Sequence, residues 1–316
     1  MTNKQMTIKD HYELIILGGG PAGLSAGLYA ARARLDHLMI EKAAPGGQVL
    51  LTDWVDNYPG FPEGISGFDL VEKMAEHARR FDLNILAAEV TRVDLSNEKR
   101  KILHLAEGNT VSCDSLIICT GASANTLNIP GELELRGKGV SYCGTCDAPF
   151  YRNMHVAVAG GGNTAIQEAV YLTKFASRVT VIHRRDELRA TKIIQELAFA
   201  NEKIDFIWNS QITSIEGETG VERLNLLAKD GSTSTLDVEG IFVLIGVTPN
   251  NTALPLDLLK AGKGGFIPVD IETRTTVPGV MAAGDICDKD VRQIVNAAGE
   301  GAVAVLAAEN YIQGTK

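Results

Sequence analysis

Apolar positions along the chain gather into short runs, each closed by a glycine-rich turn or a polar stretch. Residues 12–17, YELIIL, form the first run. A short apolar run bounded by turn residues predicts a buried strand. It leads into Gly18-Gly19-Gly20-Pro21-Ala22-Gly23 and an alanine-rich stretch of helical composition over 24–34. Residues 38–40 predict the next strand, with Glu41 at its end. The order returns later: a strand over 154–159, the turn Gly160-Gly161-Gly162-Asn163-Thr164-Ala165, a helix over 165–174 and a strand over 178–182. A buried strand is also expected at 115–119, a strand returning to the first sheet at 279–283, and a long helix at 296–311.

Strands alternating with helices predict an α/β fold with parallel sheets. Two strand–turn–helix units predict two Rossmann-like, three-layer nucleotide-binding domains, the second inserted in a discontinuous first. The expected boundaries are 1–122 with 249–316, and 123–248. Both crossings, near 121–125 and 246–250, are rich in small and turn-forming residues and read as a double hinge.

Length and charge narrow the picture. The 316 residues suit two domains, each large enough for its own core. Acidic side chains number 39 against 30 basic, a formal charge of −9, with no extended Lys/Arg tract. That argues against nucleic acid, whose phosphates are met by basic surfaces. The first thirteen residues carry mixed charges and no apolar leader core, and no early apolar run approaches a membrane span. A cytoplasmic protein without membrane contact is expected, and its five cysteines are then no structural disulfide framework.

The glycine spacing has a mechanism. In G-x-G-x-x-G, Gly18 permits the tight turn, Gly20 lets the backbone approach a pyrophosphate, and Gly23 lets helix pack on strand; the helix N-terminus faces the anion. Glu41, 18 residues beyond Gly23, stands where a carboxylate accepts hydrogen bonds from a ribose. In the second turn, Gly160, Gly162, Asn163, Thr164 and Ala165 give G-x-G-x-x-A. Its following strand ends in His183-Arg184-Arg185, with Arg189 one helical turn on. Clustered guanidinium groups bind a 2′-phosphate that an acid would repel, which predicts NADPH in preference to NADH. Asp186 and Glu187 follow at once, so a solvated charge run is the competing reading.

Between the two units lies Cys143-Gly144-Thr145-Cys146-Asp147. The spacing permits a short, reversible disulfide. Zinc needs four ligands, and no second C-x-x-C or H-x-x-x-H is present. Two unrelated buried thiols are a further alternative, against which stands the polar, turn-like character that Thr145 and Asp147 give the segment. Asp147 is a candidate proton donor to a departing thiolate. Cys113, Cys119 and Cys287 read as small buried hydrophobes.

Taken in order, GGGPAG at 18–23, GGQ at 46–48, NYPG at 57–60, TGA at 120–122, CGTCD at 143–147, GGGNTA at 160–165, HRRDELRA at 183–190, AAGD at 282–285 and RQI at 292–294 make a chain that resembles low-molecular-weight thioredoxin reductases along essentially its whole length. The resemblance implies FAD bound by the first glycine motif and the C-terminal tail, NADPH bound by the second motif, and a redox-active Cys143–Cys146 pair. It implies that Cys146 faces the flavin, that Cys143 attacks the disulfide of thioredoxin, and that Asp147 is the acid. Flavin-binding positions are implied at Gly46, Gly47, Gln48, Asn57, Val90, Thr120, Gly121, Gly284, Asp285, Arg292, Gln293 and Ile294, beside Pro21 and Ala22 of the first motif. The residue after the first cysteine is usually alanine in the family, and here it is Gly144. A homodimer and alternation by domain rotation are implied too. A related flavoprotein reductase or dithiol oxidase with another disulfide partner or electron donor is the alternative.

Overall fold

The computed structural model describes residues 8–262 and 264–315. Of the N-terminal segment read above as lacking a leader, residues 1–7 lie outside the described residues. The chain divides into two compact units, Met1–Ser123 with Thr248–Lys316, and Ala124–Val247.

The first unit opens with β1 (His11–Leu17), α1 (Pro21–Arg32), β2 (His37–Glu41), α2 (Gly67–Arg79) and β3 (Ile85–Ala87). Then come β4 (Val90–Asp94), β5 (Lys101–Leu105), β6 (Thr110–Ile118) and β7 (Ala122–Ala124). The second unit holds β8 (Val140–Ser141), α3 (Gly144–Asp147), β9 (His155–Ala159), α4 (Asn163–Leu172), β10 (Arg178–Ile182), α5 (Lys192–Phe199) and β11 (Ile204–Ile207). It continues with β12 (Ser210–Glu216), β13 (Arg223–Ala228), β14 (Thr233–Asp237) and β15 (Gly240–Val243). After β16 (Val247–Pro249), the chain adds β17 (Val280–Ala282) and α6 (Ile294–Thr315) to the first unit.

In the first sheet β3, β2, β1 and β6 run parallel in that order. The nine-residue β6 is shared on its far side: Val111–Cys113 lie within its antiparallel pairing to β5, and Leu116–Ile118 pair in parallel with β17. Both faces of the sheet are covered, which is why β1 is a nearly continuous apolar run. Leu14 and Ile16 pack with α1, α2 and α6 on one face, while Tyr12, Ile15 and Leu17 join a second cluster with Leu259, Ile267 and Ile286 on the other. Leu14, Ile15 and Ile16 are fully buried, and each such side chain contributes about 1.5–3 kcal/mol.

The second unit repeats the plan. Its parallel sheet has the order β11-β10-β9-β15-β8. Val156 and Val158 of β9 face α4, whereas Ala157 and Ala159 face a cluster built partly by the antiparallel sheet β12-β13-β14. The α/β class and the parallel sheets are as expected. The structure moves the expected element ends by a few residues and adds the β4–β5 hairpin and the β12–β14 sheet, neither of which was predicted.

Candidate active site

The first glycine turn closes tightly because its backbone leaves no space for side chains. Gly18 has φ +105°, and a Cβ there would lie 2.4 Å from the Cys119 carbonyl oxygen. A Cβ on Gly23 would lie 1.9 Å from the Gly18 carbonyl oxygen, so helix and strand could not meet. Gly20 caps α1 without a side-chain hydrogen bond, and Pro21, which has no N–H to offer, begins the helix. The amides of the first turn thus point out unclaimed by any cap. Glu41 accepts the Gly19 N–H at 2.6 Å through Oε2 and the Ala43 N–H at 2.9 Å through Oε1, which ties the end of β2 to the turn.

Other expected positions of this unit contact the turn, one another or neighbouring loops. The Gly46 N–H donates to the Gly19 carbonyl at 2.8 Å, and a Cβ on Gly47 would lie 3.2 Å from the Gly20 Cα. Gln48 reaches Ser123 Oγ at 3.5 Å, and the Asn57 amide donates to Gln293 Oε1 at 3.1 Å. The Thr120 carbonyl accepts from the Asn250 amide at 2.9 Å, and Gly121 is left-handed at φ +69°. Gly284, at φ +83°, would bring a Cβ 3.0 Å from that of Ala22. Ile294 opens α6 against the core. Val90 opens β4 and packs against the cluster that holds Leu17 and Ile40, residues near the ends of β1 and β2.

Among the described residues of this unit, five buried side-chain polar atoms lack a hydrogen-bond partner, and three of them, Asp285 Oδ1, Thr120 Oγ1 and Arg292 Nε, belong to expected flavin positions. Burial raises the Asp285 carboxyl pKa against the opposing charges of Lys289 and Arg292. The Arg292 guanidinium stands 4.5 Å from the centre of the Phe266 ring. An orphaned carboxylate and hydroxyl beside an uncapped glycine turn fit the hydroxyl-rich linker and pyrophosphate of a flavin dinucleotide.

The second turn is built alike. Gly160, at φ +151°, would place a Cβ 2.5 Å from the Leu244 carbonyl oxygen and 2.7 Å from the Ala165 Cβ, so the first position of the turn admits no side chain. Gly162 caps α4 with no side-chain hydrogen bond and faces open space. Asn163 Oδ1 accepts the Thr191 N–H at 2.8 Å. The Arg189 N–H donates to the Gly161 carbonyl at 2.7 Å, anchoring the arginine segment on the turn. Arg184, Arg185 and Arg189 are exposed beside it, as is Thr164. None of the ion pairs among the described residues involves these arginines, so Asp186 and Glu187 do not neutralise them. His183 differs from its neighbours. It is buried under Gly161 with Nε2 unpartnered, and burial followed by the charges of Arg189, Arg185 and Arg184 lowers its pKa.

Cys143 and Cys146 are joined in a disulfide with Cα atoms 5.3 Å apart. Cys143 caps α3, and the short helix brings the second sulfur round to the first. Ser141 ties the segment together: its hydroxyl donates to Asp147 Oδ2 at 2.5 Å and accepts the Cys143 N–H at 3.1 Å. Thr145 Oγ1 lies 3.5 Å from Cys143 Sγ. Glu168 of α4 accepts the Gly144 N–H at 2.5 Å. Glu132, itself buried, accepts the Leu127 and Asn128 N–H groups and the Tyr142 hydroxyl, bracing the approach to the pair. The other cysteines are free and buried, and burial pushes the Cys113 and Cys287 thiols up to about 12 and Cys119 higher still. Ser141, Glu168 and Glu132 were not among the residues expected from sequence, since their contacts span up to 24 residues and leave no local motif.

Two nucleotide-type turns and a C-x-x-C disulfide define a class of redox enzyme. Residues 12–301 match the pyridine nucleotide-disulphide oxidoreductase family, and the chain belongs to it. It is similar to the thioredoxin reductases of Listeria monocytogenes, 43% identical over 96% of this chain and 95% of the relative, and of Peptoclostridium acidaminophilum, 45% identical over 96% and 97%. The crystal structure of thioredoxin reductase from Streptococcus pyogenes superposes with a TM-score of 0.92 at 39% identity, covering 97% of this chain and all of that one. Membership makes the chain a flavoprotein oxidoreductase that uses FAD and a pyridine nucleotide. Among the described residues, no helix is long and apolar enough to cross a membrane.

Proposed function

We propose that the chain is an NADPH-dependent thioredoxin-disulfide reductase acting in the cytoplasm as a homodimer. FAD is assigned to the domain of residues 1–122 and 249–316, with its pyrophosphate at the Gly18–Gly23 turn and its linker near Asp285. NADPH is assigned to the domain of residues 123–248, at the Gly160–Ala165 turn. The observation that carries the reading is the Cys143–Cys146 disulfide in the same unit as that turn. Exposed Arg184, Arg185 and Arg189, free of ion pairs and anchored beside the turn, support a 2′-phosphate over a bare ribose.

Bound FAD supplies the acceptor for a nicotinamide hydride and the electron pair that opens the disulfide. The remaining chemistry belongs to the chain. The Cys143 thiolate attacks one sulfur of the partner disulfide and expels the other as a thiolate. Asp147, oriented by Ser141, is positioned to hand over a proton. The Cys146 thiolate then attacks Cys143 Sγ, which restores the Cys143–Cys146 bond and releases the second partner sulfur. Two electrons leave the pair and the partner gains two thiols. Thioredoxin's potential, about −270 mV, requires a pair at least comparably reducing.

Anaerobic titration tests the reading. NADPH should bleach the flavin and oxidised thioredoxin should restore its colour catalytically. Bleaching by a dithiol or reduced ferredoxin, with none by NADPH, would overturn it. Replacing Arg184 and Arg185 together by alanine should raise the KM for NADPH roughly ten- to hundredfold, as expected for one or two lost charged hydrogen bonds. The KM for NADH should hardly move; equal effects would return the arginines to a solvated charge run. Sedimentation analysis of the holoenzyme checks the dimer.

A further inference from the structure

The dithiol segment carries a contact that the exchange chemistry does not use. Glu168 reaches from α4 to the first residue of α3, where its Oε2 accepts the Gly144 N–H at 2.5 Å. A Cβ built on Gly144 would lie 2.5 Å from that same Oε2 and 3.1 Å from the Glu168 Cβ. The carboxylate therefore occupies the space a side chain at position 144 would need. Both residues belong to one unit, and Gly144 follows Cys143 directly in the chain.

We propose that Glu168 is a positioning residue that restrains thiolate formation in the reduced Cys143–Cys146 pair, by claiming the Gly144 N–H and setting a carboxylate at the start of the dithiol helix. The inference rests on the reading of these cysteines as the working redox couple. The first amides of a helix have no partner within it. Left free, such amides stabilise a neighbouring thiolate and lower its thiol pKa. Here one of them is spent on Glu168, whose negative charge also opposes a second anion nearby. A pair whose reduced form is less stabilised as thiolate is a stronger reductant, the converse of the oxidising pairs whose reduced form is favoured. That bias suits a couple that must pass electrons onward.

The carboxylates of the cluster work together. Asp147 of α3, held by Ser141, faces Glu168, and Tyr151 follows with its phenol pushed up to about 12 by burial and then by Asp147. Burial raises the Glu168 pKa, the Gly144 N–H opposes this, and Asp147 adds to it. The restraint therefore acts where Glu168 is ionised and fades as pH falls through its raised pKa.

The test uses the full-length holoenzyme, reduced anaerobically and freed of excess dithiothreitol. Iodoacetamide capture of Cys143 and Cys146 is followed by peptide mass spectrometry across pH, with buried Cys113, Cys119 and Cys287 as internal controls. Glu168→Gln keeps the shape and an acceptor for Gly144 but loses the charge. It should alkylate about tenfold faster near neutral pH, with its inflection moved to lower pH, and converge with the parent in acid. The midpoint potential of the pair should rise, by about 30 mV for a tenfold change in a two-electron equilibrium. Gly144→Ala, which evicts the carboxylate without deleting it, should move both readings the same way. An unchanged inflection and potential in Glu168→Gln, or an inflection moved upward, overturns the proposal. Neither readout needs thioredoxin. A variant that behaves as stated in a protein unable to reduce thioredoxin would sink the proposed partner and leave the role of Glu168 standing.

Discussion

At the scale of single residues, the proposed reaction divides between the two sulfurs. Cys143 sits at the cap of α3 with Thr145 beside its sulfur, and Cys146 lies one turn along. Cys143→Ser removes the attacking thiolate and leaves both glycine turns untouched. It should abolish thioredoxin reduction while NADPH still bleaches the flavin in a stopped-flow trace; loss of both would contradict the division. Asp285 offers a second test. Its folded pKa is raised by burial, so folding carries a desolvation cost that is absent below the ordinary carboxylate pKa, grows as pH rises from there to the folded pKa, and stays constant above it. Asp285→Asn should therefore stabilise the apoprotein at neutral pH by on the order of 1 kcal/mol. Flavin affinity should fall in the same variant, and the stability gain should vanish in acid. Thermal melts of apoprotein at several pH values, beside flavin release, check both halves. Glycine turns and the C-x-x-C are legible in the sequence because each is a local pattern whose backbone needs particular residue types. Ser141, Glu132 and Glu168 are ordinary polar residues there, and only the folded chain brings them to the disulfide.

At the scale of elements, the strands flanking the glycine turns were readable because burial on both faces makes them continuous apolar runs. The β4–β5 hairpin and the β12–β14 sheet leave a weaker pattern in the sequence because their runs are short and half exposed, as the alternation along Ser210–Glu216 shows. The long helix α6 was legible as a helix, but its partner was not. Gly301 lets it approach α1 backbone to backbone: a Cβ there would lie 2.1 Å from the Ala22 carbonyl oxygen and 3.1 Å from the Ala26 nitrogen. Ala22 belongs to the first glycine turn, to which the flavin pyrophosphate is assigned above, so this contact couples the tail to the proposed site. Glu300, one residue earlier, accepts the Gly284 N–H at 2.8 Å and the Lys289 ammonium at 2.6 Å, fixing the turn that carries Asp285. Gly301→Val should thus destabilise the protein by about 1–3 kcal/mol, the usual cost of overpacking. It should also release flavin more readily than an equally destabilising substitution in the second unit. Equal flavin release from the two variants at matched stability would show that the α1–α6 contact supports the fold alone.

At the scale of the whole molecule, the chain passes between its units twice, after Ser123 and before Thr248. The crossing segments pair as a two-stranded ribbon of β7 and β16, with left-handed Gly121 on one side and Gly246, at φ +110°, on the other. These are positions where other residues are strained. The proposed chemistry makes two demands on such a connection. The disulfide must meet the flavin to be reduced and meet a protein substrate to be oxidised, while the nicotinamide must also meet the flavin. One rigid arrangement cannot easily serve all three, so the hypothesis is alternation by rotation about the double crossing. A covalent tie between the units, made through introduced cysteines and a bismaleimide, tests it without touching the chemistry. Formed while Cys143–Cys146 is oxidised, it spares that pair, and the three remaining thiols are buried. The tied protein should keep one half-reaction, either flavin reduction by NADPH or flavin–disulfide exchange, and lose steady-state thioredoxin reduction. Mock-treated protein with the same introduced cysteines should turn over normally. Full turnover in the tied protein would mean that the units need not move, and that a single arrangement serves donor, disulfide and partner alike.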